Sequence, residues 1–215
     1  MTNFDTSQAI AYRHGAATTH RALQVGMLVF LDFEASSLAR HSYPIEVAWV
    51  FEDGVSETHL IRPAEGWDDW DSAAEAIHHI PRETLLRDGI AHDVLARRMV
   101  ATLSGHDLVA SAPSWDGKWL SALLRAAGLP RHALRLRDTE EVQRDTVRAI
   151  LLDGIAGEHL EEEVERLRIA AIEALPKAAT AHRALADAEA ERARWWAVRN
   201  AAEQFPNFRQ GYNDA

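Results

Sequence analysis

The residues best suited to chemistry are acids. Asp32 and Glu34 stand two apart at the end of the run Met27-Leu28-Val29-Phe30-Leu31-Asp32-Phe33-Glu34. Side chains two apart on an extended strand share a face, so these carboxylates project side by side. Like charges held that close call for a cation, and oxygen donors select hard ions such as Mg²⁺ or Mn²⁺. Asp116 follows the strand-like Asp107-Leu108-Val109-Ala110 and opens a helical stretch, where a carboxylate meets the helix's positive end and the crevice beyond the strand. His182 and Asp187 lie five apart in His182-Arg183-Ala184-Leu185-Ala186-Asp187. Five helical steps of about 100° leave two side chains about 140° apart, so both face one site only with His182 in the loop or first turn and Asp187 inside the helix. Each feature also has an ordinary reading: a solvated strand end, a helix-start Asp, a capping His and a surface Asp.

The elements that must position these groups follow from patterning. The near-continuous apolar run from Val25 to Phe33 reads as a buried central strand, with Ile45 to Phe51 as a second. Glu52-Asp53-Gly54 supplies turn chemistry, and Thr58 to Ile61 returns as a third strand, completing a meander. After Pro63 the chain reads as irregular through Trp67 and Trp70, which either pack a long loop over the sheet or line a strand entry. Val94 to Leu103 has helical spacing, Asp107 to Ala110 is a fourth strand, and Ser114 to Ala127 is a helix ended by Gly128 and Pro130. Leu134 to Leu136 makes a fifth strand; Thr139 to Leu152, Glu158 to Leu175 and Ala181 to Glu203 read as helices. The second of these three carries Leu160, Val164, Leu167, Ala171 and Leu175 on one stripe; around Glu161-Glu162-Glu163 it reads as solvent-facing, with the stripe open to a partner or a homodimer. A sheet followed by strand–helix alternation makes this an α/β domain with a mixed five-stranded sheet, an antiparallel meander and then parallel strands, flanked by helices. The expected organisation is an N-terminal extension over 1–24 with a turn of helix at Ala9 to Tyr12, a domain over 25–203 and a tail over 204–215.

Composition narrows the chemistry. The 215 residues include no cysteine, which excludes a thiolate nucleophile, a disulfide framework, Cys-based zinc sites and iron–sulfur clusters. With Lys+Arg 23 against Asp+Glu 33 the formal net charge is −10, which argues against broad electrostatic coating of duplex nucleic acid. No apolar run approaches the roughly 20 residues that span a bilayer. The first residues lack a basic start followed by an apolar stretch, so the expectation is a cytoplasmic protein without membrane attachment. No G-x-S-x-G elbow and no Gly-rich phosphate loop occurs, so serine-hydrolase and P-loop chemistry lack their mechanical part.

The order D-x-E, then Asp, then H-x-x-x-x-D resembles the DEDDh branch of the DnaQ-like 3′–5′ exonucleases, of the ribonuclease H-like superfamily. Phe30-Leu31-Asp32-Phe33-Glu34-Ala35-Ser36-Ser37-Leu38 is similar to the first exonuclease motif, and Ile45-Glu46-Val47-Ala48 to the strand after it. Ile77-His78-His79-Ile80-Pro81 is similar to the family's His-Gly-Ile segment, and His182 to Ala188 to its third motif, so the match runs from about residue 26 to 200. The chain departs in three places: Ala35 stands where relatives often have Thr, Ser111-Ala112 where many have His-Asn, and His79 where the segment has Gly.

The resemblance implies that Asp32, Glu34, Asp116 and Asp187 bind two divalent ions, Mg²⁺ or Mn²⁺, with four carboxylates balancing their charge and Asp32 as bridge. Two such ions roughly 3.5–4 Å apart activate water and stabilise the departing oxygen of a phosphodiester. His182 is the implied general base. Phe33, Ala35, Leu38, His78 and Trp115 are candidates to hold the terminal nucleotide, although alternation turns Phe33 away from Asp32 and towards a core. The implied substrate is the 3′ end of single-stranded DNA or RNA, with release of nucleoside 5′-monophosphates. Trimming of RNA ends or short oligoribonucleotides is the alternative within enzymes. A nuclease-like binding or scaffold module of a polymerase or repair complex is the alternative outside them. Arg97-Arg98 and Arg131, Arg135 and Arg137 are either phosphate contacts or a solvated face.

Overall fold

The structure, a computed structural model, describes residues 26–152, 154–155, 157–176 and 182–205. The expected extension over 1–24 with its helical turn lies outside these residues, as does the tail beyond Phe205. β1 (Leu28–Ala35) is the centre of the sheet: it pairs antiparallel with β2 (Pro44–Phe51) on one side and parallel with β5 (Asp107–Ala110) on the other. β3 (Ser56–Arg62) returns antiparallel to β2 through a turn in which Gly54 adopts φ 95°, a left-handed conformation that glycine takes without steric cost. β6 (Leu136–Asp138) extends the sheet parallel to β5. Five strands are present as patterning expects, the last of them over Leu136–Asp138 rather than Leu134 to Leu136, and a sixth joins them: β4 (Ile90–Ala91) pairs parallel with β3, giving the order β4-β3-β2-β1-β5-β6. Two residues are too few to display any period, so patterning passes over them.

The stretch from Pro63 through Trp70 is irregular as expected, and beyond it come two short helices that patterning does not assign, α1 (Ser72–His78) and α2 (Arg82–Asp88). Local signals specify them: the Asp71 side chain accepts the Ala73 N–H at the start of α1, and Pro81 precedes the first residue of α2. At seven residues each, neither shows a repeating apolar stripe. Trp67 stacks on Tyr43 at 5.2 Å between centroids, and Trp70 donates to Glu75 at 2.7 Å, so both pack this loop onto the sheet.

Period-two alternation along β1 sorts its side chains onto two cores. Val29, Leu31, Phe33 and Ala35 join Val47 and Trp49 of β2 beneath α3 (His92–Leu103) and α4 (Pro113–Ala126). On the opposite face Phe30 packs with Val109, with Val142 of α5 (Thr139–Leu151) and with Trp195 of α7 (Ala184–Glu203). Burying Phe30 completely contributes about 1.5–3 kcal/mol. Helices on both faces leave β2 buried along nearly its whole length, which is why Ile45 to Phe51 reads as an unbroken apolar run. The stripe on α6 (Gly157–Glu173) is spent within the chain: Leu160, Val164 and Leu167 pack on Val147 and Leu151 of α5 and on Val198 and Ala202 of α7, with Phe205 against them. That face is therefore not free for a partner or a homodimer. Among the described residues no helix is long and apolar enough to cross a membrane.

Candidate active site

Asp32 and Glu34 alternate with Phe33, so they share the face of β1 on which Phe30 meets Trp195 of α7. One face of α7 recurs every four residues, through Asp187, Glu191 and Trp195. With Trp195 fixed on Phe30, the acids one and two turns earlier come to lie over Asp32 and Glu34. The outcome is direct: Asp32, Glu34 and Asp187 each offer an oxygen, and these oxygens lie within 4.8 Å of one another. Asp116, in the first turn of α4 beyond the carboxyl end of β5, is 2% exposed and leaves its Oδ2 without a hydrogen-bond partner.

The electrostatics show how closely the four acids are coupled. Burial, and then the charges of Asp116, Glu34 and Asp187, push the Asp32 carboxyl up to about 9. Burial followed by Asp187 and Glu46 raises Glu34 to about 7, against the pull of Arg183. Asp116 is also raised to about 7 by burial, although backbone groups of Phe33 and Ala112 hydrogen-bond its carboxylate and pull it down. Glu191, which sequence reasoning passed over, is raised by burial and adds its charge to both Asp32 and Asp116. Its signal was available: it stands four residues after Asp187, hence on the same helical face.

His182 precedes α7 in a left-handed conformation at φ 48°, in the loop position that its five-residue spacing from Asp187 requires. A non-glycine residue there costs roughly 1–3 kcal/mol and persists only where its surroundings determine it. The surroundings do so one residue on. Glu46 of β2, 2% exposed and directly across the ladder from Glu34, accepts the Arg183 Nε–H at 3.0 Å, a second Arg183 N–H at 2.6 Å and the Ala184 N–H at 3.1 Å. A carboxylate from the sheet thus caps the helix that carries Asp187, which starts at Ala184 rather than 181.

The remaining candidates divide by exposure. Leu38 is 70% exposed and Trp115 39%, on two segments tied together where Lys118 Nζ donates to the Ala39 carbonyl at 2.6 Å and to Ser42 Oγ at 2.8 Å. Phe33 and Ala35 are buried in the core beneath α3 and α4, Phe33 on the side that its alternation with Asp32 predicts. His78 is also buried: its Nδ1 accepts the Ile80 N–H at 3.1 Å, its Nε2 has no partner, and burial holds it below the ordinary imidazole range. His79, at the position where the resemblance has Gly, adopts φ 57° and closes α1 in the left-handed conformation that Gly favours. Of the arginines, Arg98 pairs with Glu57, and Arg137 is held by Asp107, Glu141 and Asp145.

No family model matches the chain, and no curated protein matches it significantly. Solved structures do. The chain resembles Escherichia coli exonuclease I in its zinc-bound complex with single-stranded DNA, at TM-score 0.59 and 18% identity over 82% of this chain and 41% of the other. For E. coli exonuclease I bound to a dT13 oligonucleotide the values are 0.54 and 18%, over 78% and 40%. For product-bound exonuclease I they are 0.56 and 17%, over 82% and 44%. The chain thus spans about two-fifths of the length of the proteins it matches. It has the ribonuclease H-like fold of exonuclease I, the fold that the motif resemblance to the DnaQ-like 3′–5′ exonucleases implies.

Proposed function

We propose that the chain is a metal-dependent 3′–5′ exonuclease that hydrolyses single-stranded DNA from its 3′ end and releases nucleoside 5′-monophosphates. One observation carries this reading: three carboxylate oxygens within 4.8 Å of one another, set in a half-buried pocket that resists their charge. Such an arrangement is costly without a cation and favourable with one. The donor set fits hard divalent ions, since all four ligand candidates are carboxylates and Asp116 Oδ2 has no protein partner. Asp32, Glu34, Asp116 and Asp187 would hold two ions, Mg²⁺ or Mn²⁺. When bound, these ions neutralise the phosphodiester and activate it towards attack by water.

The chain's own groups supply the rest. Leu38 and Trp115, exposed on adjoining segments, flank the terminal nucleotide, with the Trp115 ring offered to a base. His182 takes the proton from the attacking water as the new O–P bond forms and the P–O3′ bond breaks, and the departing 3′ oxygen is protonated from solvent. The Glu46–Arg183 pair holds the residue next to His182 and thereby the loop from which it acts. A scaffold role has no use for Asp32, Glu34 and Asp116 buried so that their carboxyls are raised, Asp32 and Glu34 further by the charges around them. The DNA preference follows the exonuclease I complexes, in which the bound strand is DNA.

The test is product analysis. Wild-type chain with Mg²⁺ and a single-stranded oligonucleotide should release nucleoside 5′-monophosphates, and His182→Ala should lower kcat by about 10²–10⁴ while leaving Mn²⁺ affinity unchanged. Full activity in His182→Ala removes its assigned role, and faster release from RNA moves the reading to an exoribonuclease.

A further inference from the structure

Beyond the carboxylates, α4 borders a cleft of about 370 Å³ between its outer face and the segment leading into β6. Gly117 and Leu120 line it from the helix, and Arg131, His132, Leu134 and Arg135 from the segment. Among the described residues no Asp or Glu lines it. Unlike Arg98 and Arg137, neither Arg131 nor Arg135 enters an ion pair among the described residues; Arg131 Nε–H donates to His132 Nε2 at 2.9 Å. Other described arginines, such as Arg97 and Arg125, also enter no ion pair, but in a chain of net charge −10 the cleft brings two such guanidinium groups together without an acid in its described lining. A guanidinium fork matches phosphate geometry and keeps its charge at any working pH.

Gly117 is the second, independent feature. Glycine inside a helix lowers its stability, and it is usually kept for close packing. Here packing gives no reason, because a β-carbon built at Gly117 would meet nothing within 4 Å. The missing side chain leaves the floor of the cleft open beside the two cations. Gly117 follows Asp116 directly, about 1.5 Å further along α4 and about 100° around it, so the cleft lies on a neighbouring face of the helix that carries Asp116.

We propose that this cleft is a subsite for a phosphodiester unit of the bound strand upstream of its 3′ end. Arg131 and Arg135 contact the phosphate, and the adjoining sugar or base lies on the open Gly117 floor against Leu120 and Leu134. The inference rests on the exonuclease reading for the identity of the strand, but its test does not require hydrolysis.

Binding of a 5′-labelled oligothymidylate to the whole chain is followed by fluorescence anisotropy in EDTA over a series of NaCl concentrations. Arg131→Ala/Arg135→Ala should weaken binding about tenfold and lower the slope of log K against log salt by about 1.4, at about 0.7 for each cation that no longer neutralises a phosphate. Gly117→Leu, which fills the floor with a better helix former, should weaken binding while raising the melting temperature, so weaker binding cannot be put down to poorer folding. Arg87→Ala, which removes a charge paired with the exposed Asp88, should leave the slope unchanged. An unchanged slope in the double variant, or tight binding by Gly117→Leu, overturns the subsite, as does failure of the wild-type chain to bind. If hydrolysis is absent but the slope falls as expected, the subsite stands and the exonuclease reading fails; if hydrolysis proceeds and the slope is unchanged, the reverse holds.

Discussion

Replacing Asp32 by Asn should stabilise the metal-free protein, and the gain should grow with pH. Burial and the charges of Asp116, Glu34 and Asp187 lift the Asp32 carboxyl from its ordinary 3.8 to about 9. A carboxyl with a raised folded pKa holds more protons folded than unfolded, so its contribution to stability falls as pH rises from about 4 to about 9. At about pH 7.5 the folded group still holds its proton while the unfolded one has lost it, which costs at most about 5 kcal/mol at about 1.36 kcal/mol per pH unit. Glu34 and Asp116 share the repulsion, and the acids titrate as a set, so removing one carboxylate should recover about 2–4 kcal/mol of this. Urea denaturation of Asp32→Asn and wild type in EDTA at several pH values reads the effect directly. The two should converge near pH 4 and separate steadily above it, with the variant more stable. Saturating Mn²⁺ should then raise the wild type by mass action and leave the variant nearly unmoved. A gap that does not change with pH, or an Asn variant less stable at neutral pH in EDTA, refutes the reasoning.

The other predictions concern the frame around the acids. His79→Gly relieves a left-handed backbone at φ 57° worth about 1–2 kcal/mol and adds about 0.4–1 kcal/mol of unfolded-chain freedom, so thermal unfolding should show a net gain of roughly 0.5–1 kcal/mol. Arg183→Ala strands the buried Glu46 carboxylate and should cost about 3–5 kcal/mol in chemical denaturation. Glu46→Ala instead releases a guanidinium whose side chain is already 51% exposed, so it should cost clearly less. The reverse order would show that Arg183, not Glu46, is the group that depends on the pair.

Much of this arrangement was legible in the residues. The run ending in Asp32-Phe33-Glu34 announces both a central strand and two acids on one face, and the structure places them so. Angular spacing set only the condition that His182 lie in the loop or first turn if it is to face one site with Asp187; the structure puts it in the loop ahead of α7, not in a helix begun at Ala181. Three things were less legible, each for a physical reason. β4, α1 and α2 are too short to express a period and are specified by caps and by pairing with β3. Glu46 sits inside an apolar run and announces that it needs a partner, but nothing local says that the partner is Arg183, 137 residues away. The stripe on α6 was plain, whereas which surface covers it depends on α5 and α7 closing into a second core.

Asp32, Glu34, Asp116 and Asp187 are proposed to hold the divalent ions with which a strand is hydrolysed from its 3′ end. Degradation of 5′-labelled single-stranded DNA and RNA of matched sequence, in Mg²⁺, Mn²⁺ or EDTA and beside Asp32→Asn, tests it most directly. A ladder of products shortening from the 3′ end is expected with either metal, faster on DNA, and absent both in EDTA and in the variant. Intact strands with wild-type chain in every metal, or a ladder that survives EDTA or Asp32→Asn, would contradict it.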